Sequence, residues 1–356
     1  MRKPAAYLFA ILVGAIIWFF FQHFDIVGMQ AVRFVPKEQE KGDGELQSDL
    51  TNTLEVDVEF TDANLQDSGN TAPTSAASLE VVPSVSRQSI RIASFHLNYF
   101  GSSSADKAHV LDIVARVVRR FDIVALQGIS PRGSTIVAEL NDLANQTGRK
   151  YDRIVGASTA DQDDDMQFAF LFDRETIMAD RNELYTLGDP QNLLRRDPLV
   201  GWFRTRKPAA ERAFTFTLVN VHTERRRHLQ ELNVLHDVLY AIRDDGRQED
   251  DVILLGCFHA DDRQLGKLGR VPGIVSAIRS VPTNIEGTLQ TENIVFRKPA
   301  TDEFTGRSGV FDVLRNYNLS VARAREVSDF MPVWAEFSVF EGGDRGRVAN
   351  EPNRRY

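Results

Sequence analysis

Five short apolar runs, "IASFHLNYF", "DIVALQGIS", "LVNVHT", "ILLGCFHADD" and "SDFMPVWAEF", succeed one another along the chain, each flanked by small or polar residues. Runs of this length, rich in β-branched and aromatic residues, read as buried strands whose ends deliver side chains to a pocket. "QFAFLFD" and "TENIVF" add further strands, and "FTFTLVNVHT" lengthens the third run. "ADKAHVLDIVARVVRRF" and "RRHLQELNVLHDVLYAIRD" instead space their apolar residues as helices do. Strands outnumber helices. That balance predicts an α/β (α+β) domain of packed sheets with helices outside, from Ser89 to Phe340, rather than a simple doubly wound sheet.

The first 24 residues predict a membrane anchor. Arg2 and Lys3 precede an uncharged run from Ala5 to Phe21, 17 residues that reach the lower limit for a span, with Trp18 to Phe21 suited to the interface. The bulky residues closing the run leave no small-x-small cleavage site, so an uncleaved single-pass anchor is favoured over a signal peptide. The basic start places the N-terminus in the cytoplasm and the domain outside it. Residues 25–88 read as an acidic flexible linker, with "LEVDVEF" as a short strand lacking an obvious partner, and 341–356 as a polar tail. The net charge of −8 gives no field to hold a polyanion, which disfavours nucleic acid as a partner. The partners expected are the membrane, through the N-terminal helix, and a protein or phosphorylated ligand at the domain.

The ordered strand ends resemble the endonuclease/exonuclease/phosphatase superfamily, the deoxyribonuclease I-like proteins, over about Ser89 to Phe340. The resemblance implies a four-layer sandwich, two β-sheets between helices, with a Mg²⁺-dependent phosphodiesterase site at the strand ends. At that site His96 stands where the family has Asn, and Gly128 where it has a metal-binding Glu. Cys257 and His259 replace the Asp and Asn of the family's "GDFN", and Phe330 replaces its catalytic His. His222 and Asp329 match, and Glu292 sits where an Asp usually orients the lost His. Mg²⁺ usually takes at least one protein carboxylate, and a phenyl ring neither accepts nor donates a proton.

Three functions follow. The domain is a catalytically silent binding or scaffold module. Or it is a metal-dependent phosphodiesterase or nuclease with altered ligands, keeping His222 and Asp329, with Arg225, Arg226 and Arg227 meeting phosphate or merely pairing with Glu224 or Glu231. Or His96, His222, Cys257 and His259, which include the chain's one Cys and three of its seven His, form a zinc or copper site. The last reading has Cys257 and His259 sharing one face of a continuing strand. Against it stands the plain possibility that Cys257 is a small buried hydrophobe.

Overall fold

The computed structural model describes residues 88–343, apart from 101–107, 131–133, 158–165, residue 190 and the side chains of Asn98 and Tyr99. The expected anchor at 1–24, all of the expected linker at 25–88 except Gln88, and the expected tail at 341–356 beyond residue 343 lie outside the described residues. Among the described residues no helix is long and apolar enough to cross a membrane.

Twelve strands are described: β1 (Ser89–Phe100), β2 (Ile123–Ile129), β3 (Tyr151–Val155), β4 (Gln167–Asp173), β5 (Ile177–Thr186), β6 (Leu199–Thr205), β7 (Thr215–His222), β8 (Val252–Cys257), β9 (Ile274–Ser276), β10 (Glu292–Arg297), β11 (Phe304–Val310) and β12 (Val333–Ser338). Five α-helices accompany them: α1 (Ala108–Val118), α2 (Ser134–Asn145), α3 (His228–Arg243), α4 (Val313–Tyr317) and α5 (Val321–Val327). The strands form two six-stranded sheets, ordered β11-β12-β1-β2-β4-β3 and β5-β6-β7-β8-β10-β9. Only β1 with β2 and β7 with β8 pair in parallel among the described strands.

The layering follows from which face of each strand is apolar. Ile90, Ile92, Ile123, Phe170, Phe203, Phe216, Ile253, Leu255, Phe296 and Phe337 meet between the sheets. On the outer face of the first sheet, Phe95, Leu97, Val124 and Leu126 bury against Val110, Val114 and Val117 of α1 and Val137 and Leu140 of α2. On the outer face of the second, Val219, Val221 and Leu254 bury against Leu232, Leu235 and Leu239 of α3. Strands covered on both faces read as continuous apolar runs, which is why β2, β4 and β8 are buried throughout. The two sheets with flanking helices are as expected from the strand-to-helix balance.

A buried polar bridge crosses the otherwise apolar middle layer. Gln127 Nε2 donates to Asn220 Oδ1 at 2.7 Å, and Asn220 Nδ2 donates to the carbonyls of Leu126 and Ala169 at 3.1 and 3.2 Å. Ser94 completes it through Gln127.

Candidate functional site

Strand register assembles the site. In the second sheet Cys257 lies directly opposite His222 of β7 on one side and Glu292 of β10 on the other, so these three side chains share one row. His96, on β1 of the first sheet, meets that row from across the sandwich. Its ring lies 4.5 Å from that of His222, edge to face, and its Nδ1 is 3.9 Å from Glu292 Oε1. One ligand atom each from His96, His222 and Cys257 lies within 4.8 Å of the others.

His259 joins this group by a route the strand pattern does not supply. β8 ends at Cys257, and His259 sits at φ +47°, in the left-handed region. The expectation that alternation along a continuing strand would put both side chains on one face is therefore corrected. A turn carries the imidazole back, so that its Nδ1 lies 3.4 Å from Cys257 Sγ and 3.4 Å from Thr223 Oγ1, with its ring 5.2 Å from that of His222.

Burial sets the charge state of the cluster. It lowers His96 to about 3 and His259 to about 4, and it holds His222 well below the ordinary range, with neighbouring imidazoles and Arg196 adding to the effect. Burial also raises the Cys257 thiol, assisted by Glu292, and lifts Glu292 itself to about 8. At neutral pH the row is thus three neutral imidazoles, a thiol and a largely protonated carboxyl. Arg196, in the loop between β5 and β6, is the nearby cation. Its NH1 lies 3.2 Å from His222 Nδ1, and since a guanidinium only donates, Nδ1 accepts and Nε2 carries the ring proton. Nothing in the strand-end pattern pointed to Arg196, which comes from a loop remote in sequence.

The position at which the resemblance would place a metal-binding Glu offers no side-chain donor. Gly128 stands at φ +73°, and a Cβ there would lie 1.8 Å from the carbonyl oxygen of Leu97 and 2.9 Å from His96 Cδ2. The cause is a shift of register between β1 and β2, where His96 pairs with Gln127 but Phe100 with Ile129, so extra β1 residues fold over Gly128. At the other family position, the Phe330 ring stacks on His96 at 4.7 Å. Ser328 fixes it there, its Oγ donating to the His96 carbonyl at 2.6 Å and accepting from the Phe330 N–H at 2.8 Å. Asp329 is half-buried beside it and its carbonyl accepts from Ile285 N–H. What remains for a cation is imidazole, thiol and the Glu292 carboxyl, with His96 Nδ1, His222 Nε2 and both Glu292 oxygens buried without a hydrogen bond.

Above the cluster opens a cleft of about 590 Å³, lined by Arg225, His259, Arg263, Gln290 and Phe330 among others. The other arginines after His222 behave as helix-start residues. Glu231 accepts from the backbone N–H groups of Glu224 and Arg195, at 2.9 and 3.1 Å, rather than pairing with an arginine.

Two six-stranded sheets packed face to face between helices, with a cleft at the strand ends, define a deoxyribonuclease I-like fold. Deoxyribonuclease gamma of Rattus norvegicus is 27% identical over 263 residues, covering 69% of this chain and 83% of that protein. Deoxyribonuclease-1-like 1 of Bos taurus is 26% identical over 269 residues, covering 71% of this chain and 82% of its own length. Among solved structures, the human nocturnin catalytic domain with bound sulfate aligns over 71% of this chain and 95% of its own, with a TM-score of 0.47 and 14% identity. A scan against models of known protein families finds no match. Over more than two thirds of its length the chain is thus similar to deoxyribonucleases.

Proposed function

We propose that this is a membrane-anchored member of the superfamily that has given up Mg²⁺-dependent phosphodiester hydrolysis and acts as a binding or scaffold module, with residues 1–24 as anchor, 25–88 as linker and the domain extracytoplasmic. Its ligand, a protein or a phosphorylated molecule, sits in the cleft above His259 and Phe330. The observation that carries the reading is Gly128: the Leu97 carbonyl occupies the space in which a metal carboxylate would stand. Phe330 supports it, since a phenyl ring on His96 moves no proton.

The relatives named above are deoxyribonucleases, and the competing reading gives this chain their activity through His222 and Asp329. Incubating the detergent-solubilised chain with supercoiled plasmid and a chromogenic phosphodiester, in Mg²⁺ and in Mn²⁺, separates the two. The expected result is no turnover above that of His222→Ala. Turnover that disappears in His222→Ala would establish the enzyme and end the silent-module reading.

One observation favours a second reading, a zinc or copper site formed by His96, His222 and Cys257 with His259 beside them: three soft or borderline donors within reach of one ion, two of them imidazoles with an unpartnered buried nitrogen. Arg196 opposes it, because its contact leaves the His222 proton on Nε2 and a cation next to the site. Elemental analysis of the chain purified with zinc supplied tests this reading. Near-stoichiometric metal, lost in Cys257→Ser/His259→Ala, supports it; an empty protein leaves Arg196 as the cluster's cation.

A further inference from the structure

At the far end of β8 from Cys257 lies a group of the opposite chemistry. Asp251 precedes the strand by one residue, six positions or about 20 Å from the thiol. Glu303, just before β11, and Glu341, after β12, reach the same place, and one carboxylate oxygen from each lies within 4.8 Å of the others. Glu249 and Asp250 offer oxygens within the same distance of Asp251.

The burial of this group distinguishes it from an ordinary acidic surface. Asp251 is 1% exposed and Glu303 2% exposed. Glu249 is held by both oxygens, from Asp251 N–H and Trp202 Nε1, each at 3.0 Å, whereas Glu303 and Glu341 are each anchored through one. Glu303 Oε1 accepts from Gly342 N–H and Glu341 Oε2 from Thr215 N–H at 3.0 Å. Asp251 Oδ1 and Glu303 Oε2 are left buried without a hydrogen bond, and the Thr301 hydroxyl is buried beside Asp251. Among the described residues no Lys, Arg or His forms an ion pair with Glu249, Asp251, Glu303 or Glu341. Carboxylates removed from water without a counter-charge are among the costliest groups a fold can bury, and a proton or a cation must accompany them.

We propose that Asp251, Glu303 and Glu341, with the Thr301 hydroxyl, form a binding site for a hard divalent cation, Ca²⁺, separate from the cleft. The donors are all oxygen, which excludes the soft metals suited to the His and Cys cluster. Three carboxylates from three separate chain segments match the high coordination number and flexible geometry of Ca²⁺, whereas Mg²⁺ usually keeps several waters and takes one or two carboxylates. The ion would join the start of β8 to the loops around β11 and β12, and so tie the two sheets together. Glu341 is exposed, which leaves the ion a way in.

Trp202 offers a direct probe, because its Nε1 donates to Glu249 Oε2 at 3.0 Å. Tb³⁺ added to the chelator-treated full chain in detergent should luminesce on excitation of tryptophan, and Ca²⁺ should quench the signal by displacement while equal Mg²⁺ does not. Saturating Ca²⁺ should raise Tm by roughly 5–10 °C over EDTA. Asp251→Asn/Glu303→Gln should lose both responses. Glu341→Gln, altered at the exposed donor, folds irrespective of the buried pair and should weaken Ca²⁺ at least tenfold. Absence of a Ca²⁺ effect on Tm in the unaltered chain, or responses that survive in Glu341→Gln and in the double variant alike, would overturn the site and leave protons as the group's counter-charge.

Discussion

The proposed loss of Mg²⁺ chemistry turns on one torsion, that of Gly128. At φ +73°, with the Leu97 carbonyl 1.8 Å from any added Cβ, Gly128→Glu meets both left-handed strain and a backbone collision. It should cost on the order of 3 kcal/mol or more in urea unfolding and gain no Mg²⁺-dependent hydrolysis. His96 makes the second prediction. Its value of about 3 in the folded state lies below the ordinary 6.5, so the unfolded chain takes up the proton first. Stability is then full above about pH 6.5 and falls as pH drops toward 3, by at most about 1.4 kcal/mol per pH unit from this group. His96→Asn, which restores a non-titrating side chain, should flatten the dependence of the urea midpoint on pH between 6.5 and 4.5. An unchanged slope would assign the acid sensitivity to His222 and His259, which burial depresses in the same sense.

Among the elements, β2 and β7 are joined across the sandwich by Gln127 and Asn220, and this bridge holds the two halves of the site in register. Asn220→Leu removes the side-chain donor to the Leu126 and Ala169 carbonyls and one of the acceptors of Gln127 Nε2, three buried hydrogen bonds in all. A loss of about 3 kcal/mol is expected in chemical denaturation, well above that of a polar residue at the surface. Of the inner strands all but β6 were legible in the chain, because both their faces are covered: "QFAFLFD" matches β4 residue for residue, and "DIVALQGI" extends β2 by one residue. The edge strands β3, β5 and β11 were not. They are paired on one side only and alternate with exposed polar residues, as in "IMADRNELYT" and "FTGRSGV", so no apolar run announces them. β8 was read too long, since "ILLGCFHAD" continues apolar to Phe258 while the chain has already left the ladder after Cys257.

At the scale of the molecule, the first and last described strands lie side by side: β1 pairs with β12 from Ser89 and Ser338 onward, and the Val339 N–H donates to the Gln88 carbonyl. The chain therefore enters the domain beside the point where β12 ends, next to the Asp251 and Glu341 group, while the cleft lies at the other end of β8. With the proposed anchor and linker before Gln88, carbonate extraction of membranes should leave the full chain in the pellet, and protease added from the extracytoplasmic side should cut within 25–88. Recovery of the chain in the supernatant would mean that the N-terminal run is cleaved or does not insert.

Local pattern was enough to determine the strand-rich sandwich and which residues stand at the strand ends, because covered strands read as apolar runs that stop at polar or small residues. The tertiary structure alone decided that Cys257 lies in register between His222 and Glu292, that His259 returns by a left-handed turn, and that Arg196 arrives from a distant loop to contact His222. It alone brought Asp251, Glu303 and Glu341 together from three separate segments. These are matters of strand order, register and loop path, set by how two whole sheets pack, and no window of neighbouring residues contains them.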